Sequence, residues 1–167
     1  RGLPTYDADD EFAADGSTQL VRIPGTSPPV YRARFEGSFV RYTWHDAGAD
    51  GYWTAEYPDG RIGYFGADEG GNLITEARVG GSAGTFRYHL TEIVDRYGHR
   101  IEHSYAKFGN VTLPVQIRWA FEGDVARYEV TFAYEARTDK LSDCKPGFEE
   151  LLEHRLQKVF VRSTGET

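Results

Sequence analysis

Residues 128–135 alternate strictly, with Tyr128, Val130, Phe132 and Tyr134 on one side and Glu129, Thr131, Ala133 and Glu135 on the other. A repeat of two is the spacing of a strand with one apolar face, and a helix cannot present it. Val115, Ile117, Trp119 and Phe121 repeat the pattern, and Glu122-Gly123-Asp124 between the two runs supplies the residues of a hairpin turn. Upstream, Ile101, His103 and Tyr105 share a face, and Asp95-x-x-Gly98 stands where the run Phe86 to Val94 must reverse. Residues 85–135 are therefore predicted to form a central meander of long antiparallel strands.

The rest of the chain is built around this stretch. Residues 1–16 are acidic and aperiodic, an extended lead-in expected to lay Leu3, Tyr6 and Phe12 on the sheet. Residues 17–84 read as hairpins. Gln19 to Ile23 is a short strand stopped by Pro24 to Pro29, a loop because proline cannot donate to a ladder. Val30 to Glu36 and Phe39 to Trp44 flank Gly37-Ser38, with Tyr31, Ala33 and Phe35 on one face and Arg32 and Arg34 on the other. Asp46 to Asp50 is a turn of small residues. Pro58-Asp59-Gly60 sits between two aromatic-rich runs, proline fixing φ and glycine taking a positive φ. The glycines at 70 and 71 mark another turn before Leu73 to Val79, and Gly80, Gly81 and Gly84 read as a flexible link. Residues 136–167 are expected to be loop and a closing element. Phe148, Leu151, Leu152, Leu156 and Val159 have helical spacing, whereas Leu156, Lys158, Phe160 and Arg162 alternate. The reading adopted is a turn or helix at 148–153 with a strand after it. The fold class is all-β, an antiparallel meander with little helix.

At 167 residues the chain has the length of one ordinary domain, and with no Met at position 1 or elsewhere it reads as a piece of a longer protein. No run approaches the roughly 18 apolar residues of a membrane helix, so a membrane span is not expected. The charge of −7 is spread along the chain without a basic stripe, which argues against a nucleic-acid surface. The lone Cys144 cannot form an internal disulfide or a Cys-based zinc cluster and is expected to be a structural thiol.

The polar clusters carry few patterns that point to chemistry. Asp7, Asp9 and Glu11 resemble the start of a calcium loop, but Phe12 stands where that loop needs Gly. His99 and His103, on one strand face, would lie about 13 Å apart, too far to share one zinc. His45, His89 and His154 are expected to pack on a sheet or in turns, and Gly80-Gly81-Ser82-Ala83-Gly84, although it spells G-x-S-x-G, leads into a strand and not into the helix of a nucleophile elbow. The glycine run at 80–84 leads into a strand and lacks the lysine of a phosphate loop. Carboxylate pairs such as Glu129 with Glu135, or Asp46 with Asp50, carry no weight without a cleft. The expectation is no enzyme, no catalytic, cofactor or metal residues, and no cofactor. Arg32, Arg34 and Arg137 beside Glu36, Glu135 and Asp139 are candidates for cross-strand ion pairs.

An ordered series of motifs adds a family. Gly2-Leu3-Pro4-x-Tyr6-Asp7, Tyr31-Arg32-x-Arg34-x-Glu36-x-x-Phe39 and Trp53 with Asp59-Gly60 and Gly66 open the series. Tyr88-x-Leu90-x-x-Ile93-x-Asp95-x-x-Gly98-x-x-Ile101-x-x-x-Tyr105, Phe132-x-Tyr134-Glu135-x-Arg137-x-Asp139 and Arg155-Leu156-x-x-Val159-x-Val161 follow. The chain resembles the SpvB family of Salmonella virulence plasmids, shared with the TcdB-type B component of insecticidal toxin complexes, among the Rhs/YD-repeat shell proteins. One departure is His99, where the family has Asn after the Asp-x-x-Gly turn. The resemblance implies a non-catalytic segment of a β-sheet shell wound around a toxic cargo in an exported bacterial protein. It implies flanking segments of the same polypeptide and a toxin C-type component as partners. Open strand edges would also favour self-association. The other reading is an extracellular carbohydrate-binding module, because Trp44, Tyr52, Trp53 and Tyr57 are close in sequence. Burial in a core is the competing account of those rings.

Overall fold

A computed structural model describes residues 3–7, 9–48 and 50–164; Arg1, Gly2 and Ala8 of the lead-in, Ala49 of the turn at 46–50 and residues 165–167 lie outside the described residues. The chain is almost entirely strand. In order the strands are β1 (Ala13–Ala14), β2 (Thr18–Ile23), β3 (Val30–Ala33), β4 (Arg41–Asp46), β5 (Gly51–Glu56) and β6 (Ile62–Phe65). A 3₁₀ turn, Thr75–Ala77, precedes β7 (Arg78–Gly81) and β8 (Gly84–Tyr88). Then come β9 (Leu90–Val94), β10 (Arg100–Phe108), β11 (Val111–Glu122), β12 (Val125–Asp143) and β13 (Glu150–Ser163). Among the described residues, eleven strands form one antiparallel sheet in sequence order, skipping only β7 and β8, which pair with each other.

The expected meander is present, and its turns are the ones the sequence marks. Tyr57 N–H donates to the Arg61 carbonyl (2.9 Å) and Gly60 takes φ +87°. Asp95 N–H donates to the His99 carbonyl (2.9 Å), and the Asp95 carboxylate accepts from the backbone N–H groups of Tyr97 (2.8 Å) and His99 (2.9 Å). His99, the departure from the family pattern, keeps the turn bonded through Nδ1, 2.9 Å from Asp95 Oδ2. It belongs to this turn, so it does not share a strand with His103 as the sequence suggests; β10 begins at Arg100.

Six segments differ from the sequence reading, several because a distant partner outweighs the local pattern. Residues 136–143, expected as loop, extend β12 to Asp143, and 150–153, expected as turn or helix, open β13. The pairs Leu141↔Leu152, Ser142↔Leu151 and Asp143↔Glu150 supply the ladder, which overrides the helical spacing of Leu151 and Leu152. Phe86 to Val94 is not one strand: it breaks at His89, β8 pairing with β7 and β9 with β6 and β10. Gly80, Gly81 and Gly84 are not a flexible link but the hairpin end of β7 and β8, where a Cβ on Gly80 would come 2.6 Å from the Gly84 carbonyl oxygen. β3 ends at Ala33, so Phe35 does not join the face of Tyr31 and Ala33 and is 88% exposed. Finally, Ala120 takes φ +55°, and Phe121 lies against the guanidinium groups of Arg100 (4.0 Å) and Arg118 (5.7 Å) instead of following Trp119.

The expected ion pairs are rearranged as well. Arg137 reaches Asp139 along its own strand (2.8 Å) and Arg32 lies 3.8 Å from Glu36, while Arg34 donates to Gln19 (3.1 Å). Of these residues, Glu135 makes a cross-strand pair, with Arg155 (2.8 Å), exposed and worth about 0.3 kcal/mol.

Candidate functional site

The register places the side chains of the sheet on two unlike faces. Trp44, Trp53 and Phe65 are cross-strand partners in one row, and Tyr42, Ala55 and Gly63 in the next. On this first face the rings interlock: Trp53 lies 5.0 Å from Phe12, 5.1 Å from Tyr31 and 5.2 Å from Trp44 between centroids, and Trp44 lies 5.6 Å from Tyr88. The opposite face carries Thr43, Thr54 and Tyr64 in one row, and His45 beside Tyr52 in another. Thus the four aromatics that suggest a sugar platform in sequence divide between faces. Trp53 is buried, Trp44 tilts against it, and Tyr52 stacks on His45 at 4.7 Å. Of the lead-in residues, Phe12 packs on Tyr31 and Trp53, and the Tyr6 hydroxyl donates to the Pro146 carbonyl (2.5 Å), but Leu3 stays 67% exposed.

The hairpin of β7 and β8 lies over the first face, held by two carboxylates. Asp50, in a turn that the sequence presents as small and featureless, accepts from Arg78 Nη1 (2.5 Å), the Thr85 hydroxyl (2.8 Å) and the Tyr88 hydroxyl (3.1 Å). Burial and the Asp50 charge push the Tyr88 hydroxyl far above its ordinary pKa, so it stays a donor. Glu150, at the start of β13, takes both Arg87 nitrogens (3.0 and 3.2 Å) and is itself only 8% exposed. Sequence reasoning missed both clamps. Their partners lie 28–38 and 63 residues away, and neither neighbourhood carries a motif.

The strap and its 3₁₀ turn reach β10, β11 and, through Arg87 and Glu150, the start of β13; beyond them the outer part of the first face has no second layer among the described residues. Ile101 pairs with Trp119, Trp119 with Tyr128, Val130 with Val161 and Phe132 with Val159, apolar partners in three successive rows. Tyr128 (44%), Val159 (49%) and Val161 (75%) remain open to solvent. Among the described residues β13 pairs with β12 alone, leaving a long unpaired edge, whereas β1 covers part of the opposite edge. The exposed area of the chain is 10700 Å². A compact monomer of 18.8 kDa would expose roughly 8,300 Å². The excess matches a large protein interface in size.

The remaining polar groups are dispersed. No group of three metal-capable side chains is found among the described residues, including Asp7, Asp9 and Glu11. His45 shares a hydrogen bond with the Thr54 hydroxyl (2.9 Å), His89 stacks on Tyr105, and His154 packs on Phe108. Burial lowers the pKa of His45, His89 and His103. Glu92 is buried opposite Glu102 and is raised mainly by burial, its carboxylate accepting the Glu69 N–H (2.8 Å). Cys144, expected as a structural thiol, lies exposed in the turn between β12 and β13. Among the described residues no helix is long and apolar enough to cross a membrane.

A single-layer antiparallel sheet with one strapped face defines the class, and solved structures share it. No family model and no curated protein matches the sequence. The N-terminal domain of effector protein SpvB from Salmonella typhimurium strain LT2 superposes with a TM-score of 0.82 at 17% identity, over 96% of this chain and 72% of that one. The crystal structure of TcdB2-TccC3-Cdc42 gives a TM-score of 0.81 at 17% identity over 97% of this chain, and TcdB2-TccC3 gives 0.79. This chain spans 11% of the length of the TcdB2-TccC3 chains. These are the proteins that the motif series resembles, and at this identity they establish the shared fold.

Proposed function

We propose that the chain is a structural, non-catalytic wall segment of an exported bacterial toxin or virulence polypeptide, part of a β-shell that encloses or presents a toxic cargo. The observation that carries this reading is the uncovered apolar face and open β13 edge, with a surface far above that of a closed domain. Flanking segments of the same polypeptide would continue the sheet from β13, and a toxin C-type component would complete the enclosure. The fold shared with SpvB and TcdB2 supports it. Trp44 and Trp53 lie on one face and Tyr52 on the other, so these rings do not form one flat platform for a sugar.

An unpaired edge recruits another strand when its natural neighbour is missing. Sedimentation of residues 1–167 over a hundredfold concentration range is expected to show reversible self-association. The double variant Val159→Lys, Val161→Lys is expected to be monomeric and folded. A wild-type chain that stays monomeric at high concentration contradicts the open edge.

A further inference from the structure

The strap over the first face returns to the sheet through a single residue, His89, between β8 and β9. Its backbone is fixed on both sides, the N–H donating to the Ala77 carbonyl (2.8 Å) and the carbonyl accepting from Gly66 N–H (3.0 Å). Its ring stacks on Tyr105 of β10, centroids 5.0 Å apart and planes 27° from parallel. The ring atom Nε2 is buried with no hydrogen-bond partner. A neutral imidazole tolerates that position by leaving Nε2 without a proton, but an imidazolium carries N–H on both nitrogens and needs an acceptor for each.

The surroundings do not welcome a cation. From β8, Arg87 adds like charge to the ring. From β10, the Tyr105 hydroxyl is committed to the Leu90 carbonyl (2.6 Å), and His103, two residues earlier, has its own pKa lowered by burial. On the side of Gly66, the Arg78 stem packs close by, its guanidinium already paired with Asp50. Among the described residues no carboxylate bears on the ring.

We propose that His89 is an acid-sensitive latch: protonation of its ring releases the β7–β8 hairpin from the sheet and uncovers the Trp44–Tyr88 contact beneath. The inference is independent of the proposed shell function. Burial holds the ring at about 4 against 6.5 for a solvated histidine. The open form therefore binds its proton first as the pH falls. The latch is fully closed above 6.5 and weakens progressively from there towards 4. With the discount for a partly exposed ring, opening rises about tenfold between pH 7.5 and pH 5.

Amide hydrogen exchange on the 167-residue chain tests this, with rates corrected for the intrinsic pH dependence. The expected result is about tenfold faster exchange of β7 and β8 amides at pH 5 than at pH 7.5, with β4 and β5 unchanged. His89→Gln should remove the acceleration, and His103→Gln should leave it. Equal acceleration in β4 and β5, or the same acceleration in His89→Gln, overturns the proposal. Should His89→Gln fail to fold, the ring C–H titration of His89 in the unaltered chain decides. A midpoint below 5 supports the latch, and one near 6.5 refutes it.

Discussion

Replacing Trp53 by alanine is expected to destabilise the fold by about 4 kcal/mol, the range for emptying a large aromatic from a core. Trp53 is 8% exposed at the middle of β5 and touches the rings of Phe12, Tyr31 and Trp44, each within 5.2 Å between centroids. Its loss removes buried area and three edge or tilted ring contacts together, each worth about 0.5–1.5 kcal/mol beyond the area term. Few other large side chains in this sheet are as buried, so collapse around the vacancy cannot recover much. Domains of this size have about 5–15 kcal/mol in hand, so the variant would sit close to unfolding. Guanidinium titration followed by circular dichroism measures the shift, and Trp53→Phe should lose less than half as much. A cost below about 1 kcal/mol would mean that the indole is a surface group and would return the sugar-platform reading.

Asp50→Ala is expected to cost about 3 kcal/mol, because it strands a charge rather than a hole. The Arg78 side chain is 14% exposed and its partner is Asp50; the hydroxyls of Thr85 and Tyr88 lose the same acceptor. The mechanism has a signature of its own. Removing the guanidinium as well, in Asp50→Ala with Arg78→Leu, should restore much of the loss, since no unpaired charge remains under the hairpin. Urea midpoints of the two single variants and the double variant close that cycle. Strictly additive losses would show that the pair is not coupled and that the strap is held elsewhere.

The hairpins were legible because their signals are local. Pro58-Asp59-Gly60 and Asp95-x-x-Gly98 fix turns within five residues, and the alternation from Tyr128 to Tyr134 needs no partner to be read. What escaped was anything set by a remote partner. The stretch after Glu135 looks like a loop until Leu141 and Ser142 meet Leu152 and Leu151, and the glycines at 80–84 look slack until Gly80 packs against Gly84 and Thr85. Asp50 and Glu150 are unremarkable carboxylates in sequence, and their roles exist only because the hairpin folds back across the sheet. Phe121 continues a perfect apolar series, yet the positive φ at Ala120 turns it onto arginines, a change no pattern of residue types announces.

The most direct measurement of the wall-segment account is amide exchange along β13, made on residues 1–167 alone and on the longer polypeptide that we propose contains them. Outward-facing amides of Glu150 to Ser163 should exchange readily in the isolated chain and become protected in the longer one, as a following strand takes up the edge. Equal, rapid exchange in both would mean that nothing pairs with β13, and the chain would not be part of a continuing wall.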